Sequence, residues 1–183
     1  MENKFTINEQ KVIDLLFTYP TKTFSAREIA RVEKITHPTV LEAMRKLSTL
    51  GLARRLIRKS ISGFGGTIEW KANNEGEKFK FYKKIRNMEL LYISNIIERI
   101  ASETSPNAII LFGSFSRGED IETSDIDVFV ISKEKKIDVT PYEKKLKRKI
   151  NITFQSDLNN LTKEFLNNII NGVIIYGYLE VFK

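Results

Sequence analysis

One stretch limits this chain more than any other. Residues 109–118 read Ile-Ile-Leu-Phe-Gly-Ser-Phe-Ser-Arg-Gly, and residues 124–130 read Ser-Asp-Ile-Asp-Val-Phe-Val. An apolar strand that runs into Gly113-Ser114 is followed by a second apolar strand bearing Asp125 and Asp127. Strand residues two apart share one face, with Cβ atoms about 7 Å apart, so the two carboxylates project together while Ile126 and Val128 face the core. Such a pair can hold Mg²⁺. Gly113 permits a phosphate to approach the backbone, and the amides and hydroxyl around Ser114 can donate to its oxygens. The parts suit phosphoryl transfer. A solvated strand end is the plainer reading of Asp-Ile-Asp alone, but it leaves Phe112-Gly113-Ser114 at this spacing unexplained.

Composition narrows the chemistry further. The 183 residues include no Cys and one His, His37, which removes a disulfide framework, a thiolate nucleophile, a Cys zinc site and a Ser-His triad. Carboxylates, hydroxyls and amines are what is left. The longest apolar run, residues 108–112, is far short of the ~18 residues of a membrane span, and no basic, then apolar, leader is visible. A cytoplasmic protein that makes no use of a membrane is the expectation.

The net charge of +7 is unevenly placed. Residues 1–73 carry 13 Lys+Arg against 7 Asp+Glu, residues 74–105 carry 6 against 5, and residues 106–183 carry 11 against 11. The excess positive charge sits where a polyanion would be drawn, while the C-terminal part is balanced. Two units with different tasks are expected, divided near Ser105-Pro106-Asn107.

In the N-terminal segment, Val12, Leu15 and Leu16 follow helical spacing over residues 8–18. Ser25 followed by Glu28 is a capping box for a short second helix. Pro38 opens a third helix whose stripe of Val40, Leu41, Met44, Leu47 and Leu50 stops at Gly51. Two β-prone runs, 52–58 and 67–71, then flank a glycine-rich tip. This order resembles the winged helix-turn-helix domains of bacterial and archaeal transcription regulators. The resemblance implies that the third helix enters the DNA major groove with His37, Thr39, Glu42 and Arg45 at base edges, while Arg54, Arg55, Arg58 and Lys59 face phosphates. A protein-docking or dimerisation module is the other use of such a fold.

Between residues 75 and 102 two apolar stripes interleave at helical spacing: Phe81, Ile85, Met88, Tyr92 and Ile96, and Leu90, Ile93, Ile97 and Ile100. A connecting helix over 74–105 that is apolar on two faces must bury both, either within one chain or against a second copy in a homodimer.

The Phe-Gly-Ser, Arg-Gly and Ser-Asp-Ile-Asp elements, with ten residues between Ser114 and Asp125, resemble the minimal members of the DNA polymerase beta type nucleotidyltransferase superfamily. The likeness extends to the closing segment at 169–177. It implies transfer of a nucleoside monophosphate from an NTP, with the triphosphate at Gly113, Ser114 and Arg117 and two Mg²⁺ held by Asp125 and Asp127. It also implies a third carboxylate on a later strand. That strand is expected at 150–154, where the outward residues are Asn151, Thr153 and Gln155, so Asn151 stands in the acid's place and the second ion lacks a carboxylate. Arg117 reads equally well as a surface ion pair. The basic run Lys144, Lys145, Lys147, Arg148 and Lys149 reads as a solvated helix face or as a seat for an acidic acceptor.

The expected fold class is α+β: a winged helix at 1–73, a connecting helix at 74–105 and, at 106–183, a mixed sheet flanked by helices. Two functions fit. One is an enzyme that moves a nucleotide to a protein or nucleic-acid acceptor. The other is a DNA-binding regulator whose transferase domain is catalytically degenerate and binds nucleotide or only aids assembly. A small helical protein partner suits the minimal domain, which has little room for an acceptor.

Overall fold

The structure is a computed structural model that describes residues 5–59, 66–159 and 161–180, with only the backbone of Lys59. The chain divides into two compact units, residues 1–80 and 81–183. The glycine-rich tip expected at 60–65 lies outside the described residues.

Unit 1 begins with α1 (Ile7–Thr18), which starts at a capping box: Glu9 N–H donates to the Thr6 hydroxyl, and Thr6 N–H donates to the Glu9 carboxylate. A three-residue strand, β1 (Thr23–Ser25), leads into α2 (Ala26–Glu33), where Ser25 and Glu28 make the expected box. α3 (His37–Thr49) is capped by the Thr36 hydroxyl, with Pro38 in its first turn. β2 (Ala53–Lys59) and β3 (Gly66–Ala72) pair antiparallel over seven residues, and β1 adds to the far edge of β3, giving the order β1-β3-β2. Val12, Leu16, Ile29, Val40, Met44, Leu47, Leu52 and Trp70 are buried. The division between units falls inside α4 (Glu77–Ser94).

The single connecting helix expected over 74–105 is in fact two helices. Asn95 takes a left-handed conformation, φ 68°, between α4 and α5 (Ile96–Thr104). The Ser94 hydroxyl donates to the Leu91 carbonyl and accepts from Ile96 N–H, which satisfies backbone groups freed by the break.

Unit 2 is built on four strands, β4 (Ala108–Phe112), β5 (Ile126–Ile131), β6 (Ile150–Gln155) and β7 (Val173–Gly177), in the order β6-β5-β4-β7. β4 is antiparallel to β5 and β7, whereas β5 and β6 run parallel, so the sheet is mixed as expected. Between them lie the short α6 (Gly113–Arg117), α7 (Thr140–Leu146) and α8 (Lys163–Ile170). Alternation along each strand feeds two cores. Ile109, Leu111, Ile126, Val128 and Val130 pack with Ile96, Ile97 and Ile100 of α5, while Ile110, Phe129 and Ile131 pack with Ile169 of α8. The α+β class expected from the sequence holds. No helix among the described residues is long and apolar enough to cross a membrane.

Candidate functional site

The candidate centre forms where β4 ends and β5 begins. Phe112 pairs with Asp127 across the β4/β5 ladder, which brings the turn at Gly113 against the Asp127 side chain. Gly113 has φ 73°, and a Cβ built on it would lie 2.6 Å from Asp127 Oδ2. Glycine is therefore required twice, for the backbone conformation and for the space the carboxylate fills. The Ser116 hydroxyl closes the turn by donating to the Gly113 carbonyl at 2.8 Å, and Glu119 N–H donates to the Ser114 carbonyl at 3.0 Å.

β5 starts at Ile126, so Asp125 immediately precedes the strand and Asp127 is its second residue. The parallel register places Asn151 of β6 beside Asp127. Asn151 Nδ2 donates to Asp125 Oδ2 at 3.1 Å and to Asp127 Oδ1 at 3.2 Å. The amide occupies the position between the two carboxylates and holds both with one nitrogen. Among the described residues no group of three or more His, Asp or Glu is arranged to hold a metal.

Residues 94–180 match the family model for polymerase beta, nucleotidyltransferase. This portion is a nucleotidyltransferase-like domain. No curated protein matches the chain. Among solved structures, the chain is similar to a "possible transcriptional regulator" from Methanosarcina mazei Go1, at 17% identity over 54% of this chain and 76% of that one, with a TM-score of 0.37. It is also similar to a protein from Sulfolobus solfataricus described as "a putative nucleotidyltransferase", at 20% identity over 54% of this chain and 86% of that one, with a TM-score of 0.32.

Nucleotidyltransferases of this family use an NTP and Mg²⁺, and the donors present in the nucleotidyltransferase-like domain fit one such ion. Mg²⁺ is commonly bound by one or two carboxylates together with substrate phosphates. Asp125 and Asp127 supply the carboxylates, and the space left by Gly113 keeps Asp127 Oδ2 clear of the turn. A second ion would find an amide where it needs a carboxylate. Arg117 Nε donates to Glu119 Oε2 at 2.7 Å, the surface-pair alternative, rather than turning to the Asp pair.

Joined to α6 is a cluster that sequence reasoning missed. Asp120, 2% exposed, receives Lys83 Nζ at 3.2 Å and Asn87 Nδ2 at 2.8 Å, with Arg148 Nη2 at 3.7 Å. Lys83 also donates to the Asp120 carbonyl, and Asn87 Nδ2 to the Phe115 carbonyl at 2.9 Å. These bonds tie α6 and the turn behind it to α4. Burial is the main cause holding the Lys83 ammonium below its ordinary pKa, with Asp120 opposing it. Nothing in the local sequence marks Lys83, because a lysine on a helix normally lies in solvent.

In unit 1, His37, Glu42 and Arg45 lie exposed on α3, while Thr39 is half-buried and its hydroxyl bonds that of Thr36 at 2.8 Å. The arginines expected to face phosphates together do not share one face. Regular pairing of β2 puts Arg54 and Arg58 on the face that carries Lys71, Glu69 and Thr67, and Arg55 with the backbone position of Lys59 on the face of Trp70. Arg58 also pairs with Glu69 at 3.4 Å. The side chain of Lys59 lies outside the described residues.

Proposed function

We propose that the protein transfers a nucleoside monophosphate from an NTP, taken up with Mg²⁺, to an acceptor hydroxyl. The observation that carries this reading is the approach of the Gly113 turn to Asp127, with Asp125 and Asn151 alongside. Asp125 and Asp127 would hold the ion, and Asn151 orients their carboxylates. Gly113 permits the triphosphate to approach the backbone, and the Ser114 backbone and hydroxyl donate to its oxygens. When bound, Mg²⁺ offsets phosphate charge and polarises the reacting oxygens. The acceptor oxygen bonds to the α-phosphorus, the bond from that phosphorus to pyrophosphate breaks, and the hydroxyl proton is lost to Asp125 or to water.

A second reading keeps the fold without catalysis, and the Asn151 amide bonded to both carboxylates favours it. In both readings unit 1 is a DNA-binding winged helix-turn-helix in a cytoplasmic protein. The element order of unit 1 and the exposed His37, Glu42 and Arg45 on α3 support this. The exposed Phe81, Ile85 and Tyr92, along one side of α4, support a homodimer, which sedimentation would test against a small helical protein partner.

Calorimetric titration of NTPs with Mg²⁺ into the protein and into its Asp125→Ala, Asp127→Ala variant tests the main reading. Binding that disappears in the variant, with transfer of labelled nucleotide to an acceptor, supports it. Binding without transfer to any acceptor supports the regulator, and absence of both removes the nucleotide from either account.

A further inference from the structure

Asp125 and Asp127 stand at the amino end of β5, and the other end of the sheet carries a feature of its own. Both β5 and β7 run antiparallel to β4, and β6 runs parallel to β5, so three strands share one direction. At their carboxyl ends, where β4 begins, a cavity of about 250 Å³ opens. Its edge at Ile131 is about 13 Å along β5 from Asp127, at ~3.3 Å per residue. An occupant there does not touch the carboxylate pair.

Backbone bonds fix the frame of this cavity. Asn107 N–H donates to the Ile131 carbonyl at 3.0 Å, and the Asn107 carbonyl accepts from Tyr178 N–H at 3.3 Å. Gly177, φ 67°, passes so close that a Cβ on it would strike the Asn107 carbonyl. Ile131, buried, and Leu158, half-buried, give an apolar floor that belongs to the core around Ile110 and Phe129. Tyr178, largely exposed, contributes an aromatic ring. The rest of the lining is rich in acceptors: the Asp157 and Glu180 carboxylates, with oxygens from Asn107, Ser156 and Asn159. Asp157 Oδ1 accepts from Asn159 N–H at 2.8 Å, which fixes how that carboxylate sits. No Lys, Arg or His lines the cavity, and neither carboxylate enters an ion pair among the described residues.

We propose that this cavity binds a small organic cation, a primary ammonium or guanidinium head on a short hydrocarbon stem. Two carboxylates without a cation beside them repel phosphates and acids, and attract a positive head whose N–H groups meet the acceptors. The Tyr178 ring suits the same charge. Ile131 and Leu158 supply the surface on which a stem of methylenes leaves water. A bare metal ion uses neither the apolar floor nor the ring. The volume equals that of about eight waters at ~30 Å³ each, which fits a molecule of this size rather than one ion. The proposal does not depend on the nucleotidyl-transfer reading, since the two sites occupy opposite ends of β5.

Amide correlation spectra of the full chain, titrated at fixed ionic strength with diaminobutane and with aminobutylguanidine, test it. The amides of Ser156, Asp157, Asn159 and Tyr178 should shift saturably while those of Asp125 and Asp127 hold still. Butanediol, with the length of diaminobutane and no charge, should shift none of them. Asp157→Asn with Glu180→Gln keeps the shapes and removes both charges, and should weaken binding at least ~10-fold. Tyr178→Leu should weaken it by ~3-fold. Spectra that otherwise superimpose on the parent's show that each variant is folded. Absence of shifts with both cations overturns the proposal, as do equal shifts with butanediol or undiminished affinity in the double variant. Tighter saturation of the same amides by Ca²⁺ or Mg²⁺ assigns the cavity to a metal instead, and tighter saturation by a capped Gly-Arg-Gly peptide assigns it to a protein partner; either result overturns the proposal.

Discussion

Gly113→Ala separates backbone strain from crowding of the carboxylate site. The left-handed conformation at φ 73° costs an L residue about 1–2 kcal/mol. The new Cβ would stand 2.6 Å from Asp127 Oδ2, so the carboxylate must retreat by about 0.8 Å to reach the 3.4 Å of ordinary contact. Asp127 is held by Asn151 at 3.2 Å, and losing that bond adds about 1 kcal/mol. Gly51→Ala is the control: its φ is 77° and nothing lies within 4 Å of its Cβ position, so it carries the strain alone. Urea titration measures both variants. Trp70, the chain's one tryptophan, reports on unit 1 for Gly51→Ala, and the far-UV circular dichroism change left after the Trp70 transition is accounted for follows unit 2 for Gly113→Ala. Gly113→Ala should lose about 1 kcal/mol more than the control and also bind Mg²⁺-nucleotide at least ~10-fold more weakly, as a carboxylate shifted by this distance would. Equal losses in the two variants, with nucleotide affinity intact, would refute the packing argument at Gly113.

Asn151→Asp places a third acid against two others, so without divalent ions it should lower stability by about 1 kcal/mol, and adding Mg²⁺ should raise its Tm more than that of the parent; thermal melts with EDTA and with Mg²⁺ check this. Lys83 has its folded pKa below its ordinary 10.5, chiefly through burial, so the unfolded chain binds more protons between those two values and stability rises with pH across that window. Lys83→Met should flatten that rise in a pH series of urea midpoints, while costing about 3 kcal/mol by stripping Asp120 of a partner. Replacing Arg54 and Arg58 by Gln should lower the salt slope of duplex DNA binding by about 2, whereas Glu42→Ala should alter sequence preference; anisotropy with varied duplexes distinguishes the two.

Local chemistry was readable wherever one short segment decides the outcome. Ser25 and Glu28 announce a helix start, and Gly113-Ser114 with Asp125 and Asp127 announce a turn against a carboxylate pair. Asn151 was placed on the right strand because β6 alternates cleanly. What escaped depends on partners distant in sequence or on conformations that composition does not signal. β1 has only three residues, too few to alternate, and exists because β3 offers it an edge. Asn95 breaks the connecting helix with no glycine or proline to mark it. α7 likewise ends at Lys147, so the basic run is part helix and part turn. The bonds of Lys83 and Asn87 to Asp120 span more than thirty residues and could not be read from either end. Arg54 and Arg55 show the converse, since neighbours in a charge run become opposites in a strand.

The parallel register of β5 and β6 has a chemical corollary. Because Asn151 already stands beside Asp127, converting the site to three acids needs no movement of the backbone, only oxygen in place of one nitrogen. A single Asn151→Asp substitution accomplishes the exchange. The step from a neutral amide to a third negative charge thus lies one side-chain atom away, with the β5/β6 ladder left in place.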